Sequence, residues 1–210
     1  LTGPTTIPVA AFSHPCPTTT RGACVPQPGT TQKLESLADR LQYRLAYRNF
    51  GTHQSLVVTQ PVNAGTNKKN TRTGIRWYEL RNPNGAVTVH QQSTYAPDAA
   101  NWRWMSSAAM DKQGNLAIGY SIADASGLRP TIRFAGRAAS DPINTLSSET
   151  NLHTGTGSQL RNLARWGDYS TISVDPVDDC TMWYTNEYLA TNGTFNWQTR
   201  IASFKLGTCN

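Results

Sequence analysis

Asp168 and Glu187 are the pair of residues in this chain whose side chains could do acid–base chemistry together. Hydrolysis of a glycosidic bond needs two carboxyl groups, one as the acid and the other as the nucleophile or base. We predict that both residues lie at the same end of one β-sheet module, which makes them the catalytic pair if the protein is hydrolytic. The alternative for Asp168 is that it caps a turn or holds a cation.

Arginine and aromatic residues occur in the loops predicted to surround that pair. Arginine offers bidentate hydrogen bonds to a carboxylate or sulfate, and aromatic faces pack against the apolar faces of sugar rings. An acidic glycan is the ligand class that uses both. The residues predicted to bind it are Arg40, Trp102, Arg103, Arg165, Trp166, Tyr169 and Tyr188. The alternative for the tryptophans is packing between sheets, and for Arg40 and Arg165 it is an ion pair with Asp39 or Asp168.

Three aspartates near the end of the chain suit a calcium ion, which takes several oxygen ligands. They are Asp175, Asp178 and Asp179. The alternative, which we favour, is a turn, because Asp-Pro-x-Asp-Asp is typical turn chemistry. No cofactor is predicted, and structural calcium stays open as an alternative. The four histidines lie apart from one another and from the cysteines, so the sequence gives little support for zinc.

The segment RWGDYSTISVDPVDDCTMWYTNEY, residues 165–188, has the pattern of a β-hairpin with its turn beginning at Asp175. The same pattern occurs 64 residues earlier in SAAMDKQGNLAIGYS, where Asp111 matches Asp175. Tyr120 likewise matches Tyr184, and in both copies the aspartate precedes the tyrosine by nine residues. This spacing predicts a repeated β-sheet module.

Strand-like runs separated by turns group into sets of four, which are the units of a β-propeller. We predict an all-β fold, a propeller fragment of about three four-stranded blades. Residues 1–32 are predicted to form one orphan outer strand, TTIPVAAF, and a disulfide loop. The blades are predicted at residues 33–95, 96–157 and 158–210, the last one lacking its outer strand. A self-sufficient β-sandwich is the alternative.

Three longer runs carry a resemblance to known proteins: SLADRLQYRLAYRNFGTHQSLVV, RWMSSAAMDKQGNLAIGYS and RWGDYSTISVDPVDDCTMWYTNEYL. They resemble the C-terminal half of secreted bacterial β-propeller proteins related to the sialidase-like superfamily. The resemblance implies a propeller of six or seven blades, with further blades upstream of Leu1. It does not carry over sialidase chemistry, because the Asp-box pattern Ser-x-Asp-x-Gly-x-x-Trp is absent from the sequence.

A fragment of a propeller leaves sheet edges and apolar blade faces uncovered, and such surfaces invite pairing with another chain. We therefore predict a protein partner. The predicted partner is the remaining N-terminal part of the same propeller, retained as a separate chain. A homo-oligomer is the alternative.

Composition is typical of an extracellular all-β protein, because charged residues make up only 15% of the chain and there are six Trp and eight Tyr. No apolar run is long enough for a membrane span. The net charge of +6 gives a mild preference for anionic partners. The basic residues are scattered, however, and the cluster of Lys68, Lys69 and Arg72 reads as a solvated loop. We therefore predict no binding to nucleic acid.

The four cysteines match neither a CxxC redox site nor a zinc knuckle. We predict the disulfides Cys16–Cys24 and Cys180–Cys209, and hence an oxidising compartment, extracellular or periplasmic. The predicted function is that of a secreted propeller that binds an extracellular carbohydrate or other polymer, expected to be acidic, through its loop face. The alternatives are a glycoside hydrolase or lyase of sialidase-like architecture, and a structural or adhesion module that contacts protein partners.

Overall fold

The chain is all-β in the residues that the computed structural model describes, which are 3–16, 22–67 and 70–209. In these ranges it has thirteen β-strands, no α-helix, and hence no helix that could cross a bilayer. The strands are β1 (Ala23–Val25), β2 (Leu34–Glu35), β3 (Ala46–Asn49), β4 (Gln54–Asn63), β5 (Thr73–Arg81), β6 (Thr88–Tyr95), β7 (Trp102–Met110), β8 (Leu116–Ala123), β9 (Thr131–Arg137), β10 (Thr150–His153), β11 (Thr171–Val174), β12 (Met182–Tyr188) and β13 (Gln198–Phe204).

The strands form four antiparallel sheets, three of them simple meanders in which each strand pairs with the next one along the chain. The first meander is β3–β4–β5–β6, the second is β7–β8–β9–β10, and the third is β11–β12–β13. They fall within residues 33–95, 96–157 and 158–210, where the sequence predicts successive sheets. The described residues show these stacked sheets and no closed ring.

The second meander lies between the other two, and its strands β7 and β8 are buried along almost their whole length. One face packs on the first meander through a cluster that includes Trp77, Ile118 and Tyr120. The other face packs on the third meander through a cluster that includes Ala117 and Tyr184. Since both faces of β8 are covered, its sequence is an almost continuous apolar run. Each large apolar side chain buried in this way stabilises the fold by about 1.5–3 kcal/mol.

The two copies of the repeated hairpin occupy equivalent places in their sheets. In each copy the aspartate, Asp111 or Asp175, accepts a hydrogen bond from a backbone amide of its own turn. In each copy the tyrosine, Tyr120 or Tyr184, lies on the second strand and packs toward the preceding sheet. The repeat in the sequence therefore corresponds to a repeat in the packing.

Gly119 allows the second and third meanders to approach closely. A Cβ atom at this position would lie 2.6 Å from carbon atoms of the Tyr184 ring. Both residues are in strands, and the Tyr184 ring is fully buried. A side chain at residue 119 would therefore force the two sheets apart.

Two expectations for the N-terminal part are wrong. The segment TTIPVAAF forms no strand; it lies along the first meander and is held there by side chains. The Arg76 guanidinium donates a hydrogen bond to the Ala10 carbonyl (3.0 Å), and the Ala10 amide donates to the Gln92 side chain (2.9 Å). In addition, Leu34–Glu35 belongs to the small β1–β2 sheet and not to the first meander.

The disulfide predictions are confirmed. Cys16 pairs with Cys24 (Cα–Cα 5.9 Å), and Cys180 pairs with Cys209 (Cα–Cα 5.6 Å). The second bond ties the end of the chain to the start of β12. Two disulfides in a chain of this size fit an oxidising compartment.

Candidate functional site: an aromatic cavity with two carboxylates

The loop that precedes β11 is held in place by buried side-chain amides. Gln159 is buried, and its side chain donates hydrogen bonds to the carbonyl oxygens of Leu163 (2.8 Å) and Arg165 (2.7 Å). The backbone amide of Gln159 in turn donates to the side-chain oxygen of Gln27 at 2.7 Å. Because buried polar groups that are fully paired rigidify their surroundings, this loop has a fixed path.

Trp166 and Gly167 set the direction of the loop. The Trp166 indole is buried; its ring lies 6.4 Å from that of Trp104, and its Nε1 donates to the Ser121 hydroxyl at 3.1 Å. Gly167 has a φ of +60°, and a Cβ there would lie 3.2 Å from the Cβ of Met105. Glycine therefore suits this turn, which leads the chain toward the end of β12.

A cavity of about 280 Å³ lies beside this loop and is closed on another side by the connection from β12 to β13. We call it the carboxylate cavity. Its lining residues are Leu163, Arg165, Trp166, Gly167, Asp168, Tyr169, Glu187, Phe195 and Trp197. Three of its aromatic side chains, Tyr169, Phe195 and Trp197, are exposed. The cavity therefore offers both aromatic surface and carboxylate oxygens to a ligand.

Glu187 lies near the end of β12, where the aromatic residues of the next connection cover it. Burial raises the pKa of its carboxyl from the usual 4.5 to about 7, and the Gly167 amide and the Trp197 indole lower it by less. Its Oε1 is buried without a hydrogen-bond partner among the described residues. A substantial fraction of Glu187 is therefore protonated at neutral pH and can donate a proton or a hydrogen bond.

Asp168 differs from Glu187 because the positively charged side chain of Arg165 lies beside it. Its Oδ2 pairs with the Arg165 guanidinium, whereas its Oδ1 is buried without a hydrogen-bond partner among the described residues. Arg165 also lies 3.9 Å from a carboxylate oxygen of Glu35. The arginine that lines this cavity is thus already shared between two carboxylates.

The structure brings together five of the residues that the sequence predicts for the site: Arg165, Trp166, Asp168, Tyr169 and Glu187. Phe195 and Trp197 were not predicted, although they belong to the connection between the second and third strands of the last meander. Their aromatic character in a connection that directly follows β12 was the available signal.

Arg103 does not contact solvent, which contradicts its prediction as a ligand-binding residue. It is fully buried within β7, where its guanidinium pairs with Asp98 and, at 2.9 Å, with Glu149. The Tyr120 hydroxyl donates to the same Glu149 carboxylate at 2.8 Å. The arginine is therefore part of a buried ion-pair network within the second meander.

The two predicted tryptophans pack mainly in the protein interior. Trp166 is only 1% exposed, so the prediction that its face binds a sugar ring is wrong, and it forms part of the cavity floor instead. Trp102 is half-buried at the start of β7 and packs against the apolar cluster around Trp104 and Trp166. Packing between sheets, the alternative considered for both, accounts for them.

Arg40 and Tyr188 lie outside the cavity lining. Arg40 is exposed and pairs with its neighbour Asp39 through two hydrogen bonds, of 2.9 and 2.7 Å. The Tyr188 ring packs against His153 at a centroid distance of 4.0 Å, and its hydroxyl donates to the Gln198 side chain. Neither residue is brought to the site by this fold.

The aspartates considered for calcium are used by their own turn. Asp178 accepts hydrogen bonds from the Thr181 amide and hydroxyl and pairs with Lys205 at 2.9 Å. Asp179 pairs with Arg48, and Asp175 accepts from the Trp183 indole. These contacts support the turn interpretation, and no group of three potential ligands suited to a metal ion occurs in the part of the chain that the structure describes.

Comparisons with known proteins leave the family of this chain open. No protein-family model matches the chain, and no curated protein matches it. A solved structure of a protein of unknown function from Dyadobacter fermentans DSM 18053 aligns with 72% of this chain at 14% identity and a TM-score of 0.42. The chain spans 39% of the length of that protein. A likeness at this level carries no argument about fold or function.

Proposed function

We propose that the protein binds carbohydrate in the carboxylate cavity. The observation that carries this proposal is a pair of buried oxygens, Glu187 Oε1 and Asp168 Oδ1, beside exposed aromatic rings. Neither oxygen has a hydrogen-bond partner among the residues that the structure describes. Buried acceptors without a partner cost free energy, which a ligand regains by donating hydrogen bonds to them. Sugar hydroxyls are such donors, and the apolar face of a sugar ring packs on an aromatic side chain.

The ligand proposed for this cavity is neutral and rich in hydroxyl groups. An acidic glycan was expected from the sequence, but the cavity's arginine, Arg165, is already paired with Asp168. An anionic ligand would have to displace that carboxylate or lie beside it, and like charges at close range repel. A neutral sugar avoids this repulsion.

Two tryptophans of the third meander allow a matched test. Trp197 lines the cavity and is 39% exposed, whereas Trp183 lies outside it and is 42% exposed. Ligands are first identified on a glycan array and then titrated by calorimetry. Trp197→Ala is expected to weaken binding by about tenfold or more, which corresponds to about 1.4 kcal/mol, whereas Trp183→Ala leaves it unchanged. Equal losses in both variants, or none in either, would contradict the proposal.

A second candidate function is glycoside hydrolysis, favoured by the raised pKa of the Glu187 carboxyl, about 7. A carboxylic acid that stays protonated near neutral pH can protonate a leaving-group oxygen, while Asp168 serves as the base or nucleophile. Activity would then fall as the pH rises through about 7, because the acid loses its proton. Release of reducing sugar that disappears in Glu187→Gln, with sugar binding retained, distinguishes hydrolysis from binding alone.

We also propose that the three meanders are blades of a sialidase-like propeller of six or seven blades. The first strand of each later meander stacks on the preceding sheet, β7 on β4 and β11 on β7. This stacking and the repeated Asp–Tyr hairpin support the proposal. In this proposal the protein is secreted, as its two disulfides suggest.

The proposed propeller has further blades that cover the exposed apolar residues at both sides of the stack. These residues include Leu41, Tyr43 and Leu45 beside the first meander and Trp183 and Ile201 on the third. The proposed partner is the N-terminal part of the same propeller as a separate chain, with a second copy of this chain as the alternative. Native mass spectrometry and a thermal melt test the proposed partner. A single 23.0 kDa species that unfolds cooperatively on heating contradicts it.

A further inference from the structure

A second cleft lies where the first strands of the three meanders converge. It has a volume of about 260 Å³, and β3, β7 and β11 each contribute to its walls. We call it the three-strand cleft. Its volume lies just below the roughly 300–1,000 Å³ of pockets that bury drug-sized ligands. It shares no lining residue with the carboxylate cavity, so the two sites can be altered independently.

The charged groups of this cleft leave one arginine free. The lining includes Arg44, Arg48 and Asp179. Arg48 is bound to Asp179 through both of its terminal nitrogens, one of them 2.7 Å from Oδ1, and its side chain is only 19% exposed. Arg44 is exposed and has no ion pair or side-chain hydrogen bond among the described residues. The cleft therefore carries one uncompensated positive charge at its lining.

The remaining walls are apolar or aromatic. Val57 and Met110 are buried and line the cleft, and Tyr47 lines it with more than half of its surface exposed. An inorganic anion would use Arg44 alone and leave the Tyr47 ring uncovered. A ring-shaped ligand that bears an anionic group uses both, since the guanidinium fork matches a carboxylate and the aromatic face packs on an apolar ring face.

We propose that the three-strand cleft binds the carboxylate of an acidic sugar, a uronic acid residue, with Arg44 as its ion-pair partner and Tyr47 against its ring. The acidic glycan expected from the sequence is thus recognised at the opposite end of the sheets from the carboxylate cavity, close to the turn that contains Asp179. This inference does not rest on sugar binding in the carboxylate cavity. It places recognition of the carboxylate and recognition of hydroxyl groups at separate sites.

The test is a titration of the intact chain with three probes, in which binding is measured from NMR chemical shifts or by calorimetry. D-Glucuronate has both the ring and the carboxylate, D-glucose has the ring alone, and acetate has the carboxylate alone. Glucuronate is expected to bind at least about tenfold more tightly than acetate, and its affinity is expected to fall with added salt because the ion pair is exposed. Glucuronate is also expected to bind at least about tenfold more tightly than glucose. Changes in the chemical shifts of residues that line the three-strand cleft identify it as the binding site.

Matched arginine variants complete the test. Arg44→Ala is expected to lower glucuronate affinity about tenfold, and Arg44→Lys by less, because lysine keeps the charge but loses the planar fork. The control is Arg40→Ala, since Arg40 lies in the same segment and is exposed but lines neither site. Both arginines are on the surface, so the variants should fold, which a thermal melt verifies.

Three results would overturn the inference. One is glucuronate binding that Arg44→Ala leaves unchanged, and another is acetate binding as tight as that of glucuronate. The third is glucuronate binding that is lost in Trp197→Ala but kept in Arg44→Ala, which would assign the acidic sugar to the carboxylate cavity. Conversely, loss of cavity binding in Trp197→Ala with glucuronate binding intact supports two separate sites.

Discussion

Glu187→Gln is the substitution that most directly tests the electrostatics of the carboxylate cavity. Burial raises the pKa of the Glu187 carboxyl from 4.5 to about 7 in the folded protein. The folded state therefore binds this proton more tightly than the unfolded state does. The stabilisation that comes from this tighter proton binding by Glu187 is fully present below pH 4.5 and is lost as the pH rises through about 7.

The size of the effect follows from the shift in pKa. One pKa unit corresponds to about 1.4 kcal/mol, so the charged form of Glu187 costs the folded state about 3 kcal/mol above pH 7. Glutamine has nearly the same shape and carries no charge at any pH. The variant should therefore match the parent protein near pH 4 and exceed its stability by about 3 kcal/mol near pH 8.5. For a chain of this length that difference raises the melting temperature by roughly 6–12 °C.

The assay is urea or thermal denaturation of both proteins between pH 4 and 8.5, with the difference in free energy of unfolding plotted against pH. Other ionisable groups are common to both proteins, so the difference isolates Glu187. Asp39→Asn is the control, because Asp39 is exposed and Arg40 lowers the pKa of its carboxyl, so that it titrates at lower pH than Glu187 does. If the difference in free energy of unfolding between Glu187→Gln and the parent does not change with pH, the Glu187 carboxyl titrates like that of an ordinary surface glutamate. That result would refute the reasoning.

Two further predictions concern the packing that positions the site. Arg103→Ala should destabilise the protein by about 3–5 kcal/mol, because it leaves Asp98 and Glu149 without their buried partner. The control Arg40→Ala, at an exposed pair, should leave stability nearly unchanged. Equal effects of the two substitutions in denaturant melts would argue against the buried network. Gly119→Ala should lower the free energy of unfolding by about 1–3 kcal/mol, because the new methyl group would clash with the Tyr184 ring. The control Gly127→Ala, with open space around it, should be nearly neutral. An unchanged melting temperature for Gly119→Ala would show that the sheets can separate without penalty.

The grouping of Asp168 and Glu187 could be predicted because it depends on local chain geometry. Asp168 precedes β11 and Glu187 lies near the end of β12, and an antiparallel hairpin returns the chain to the end from which it started. The turn residues at Asp175 to Asp179 fix that hairpin through contacts within a few positions. The cysteine spacing matches no metal or redox motif, which left disulfides as the expectation. Each disulfide joins two cysteines that are neighbours in the order of the four, 8 and 29 residues apart.

The surroundings of Arg103, Trp166 and Arg44 could not be predicted, because they depend on residues that lie far away along the chain. Arg103 and Trp166 are buried by partners 46 and 45 residues away, Glu149 and Ser121. Alternation along a strand identifies its two faces but not which face is covered, and in β7 and β8 both are.

The sequence by itself thus determined the all-β class, the successive meanders, the disulfides and the carboxylates beside the last hairpin. Only the tertiary structure decided that Arg103 is buried in an ion-pair network, that Phe195 and Trp197 close the cavity, and that Arg44 is left free in a different cleft. The reason is physical: hydrogen-bonded pairing of neighbouring strands is encoded locally in turns and alternation. Burial and charge pairing arise from stacking of sheets whose contacts lie far apart along the chain.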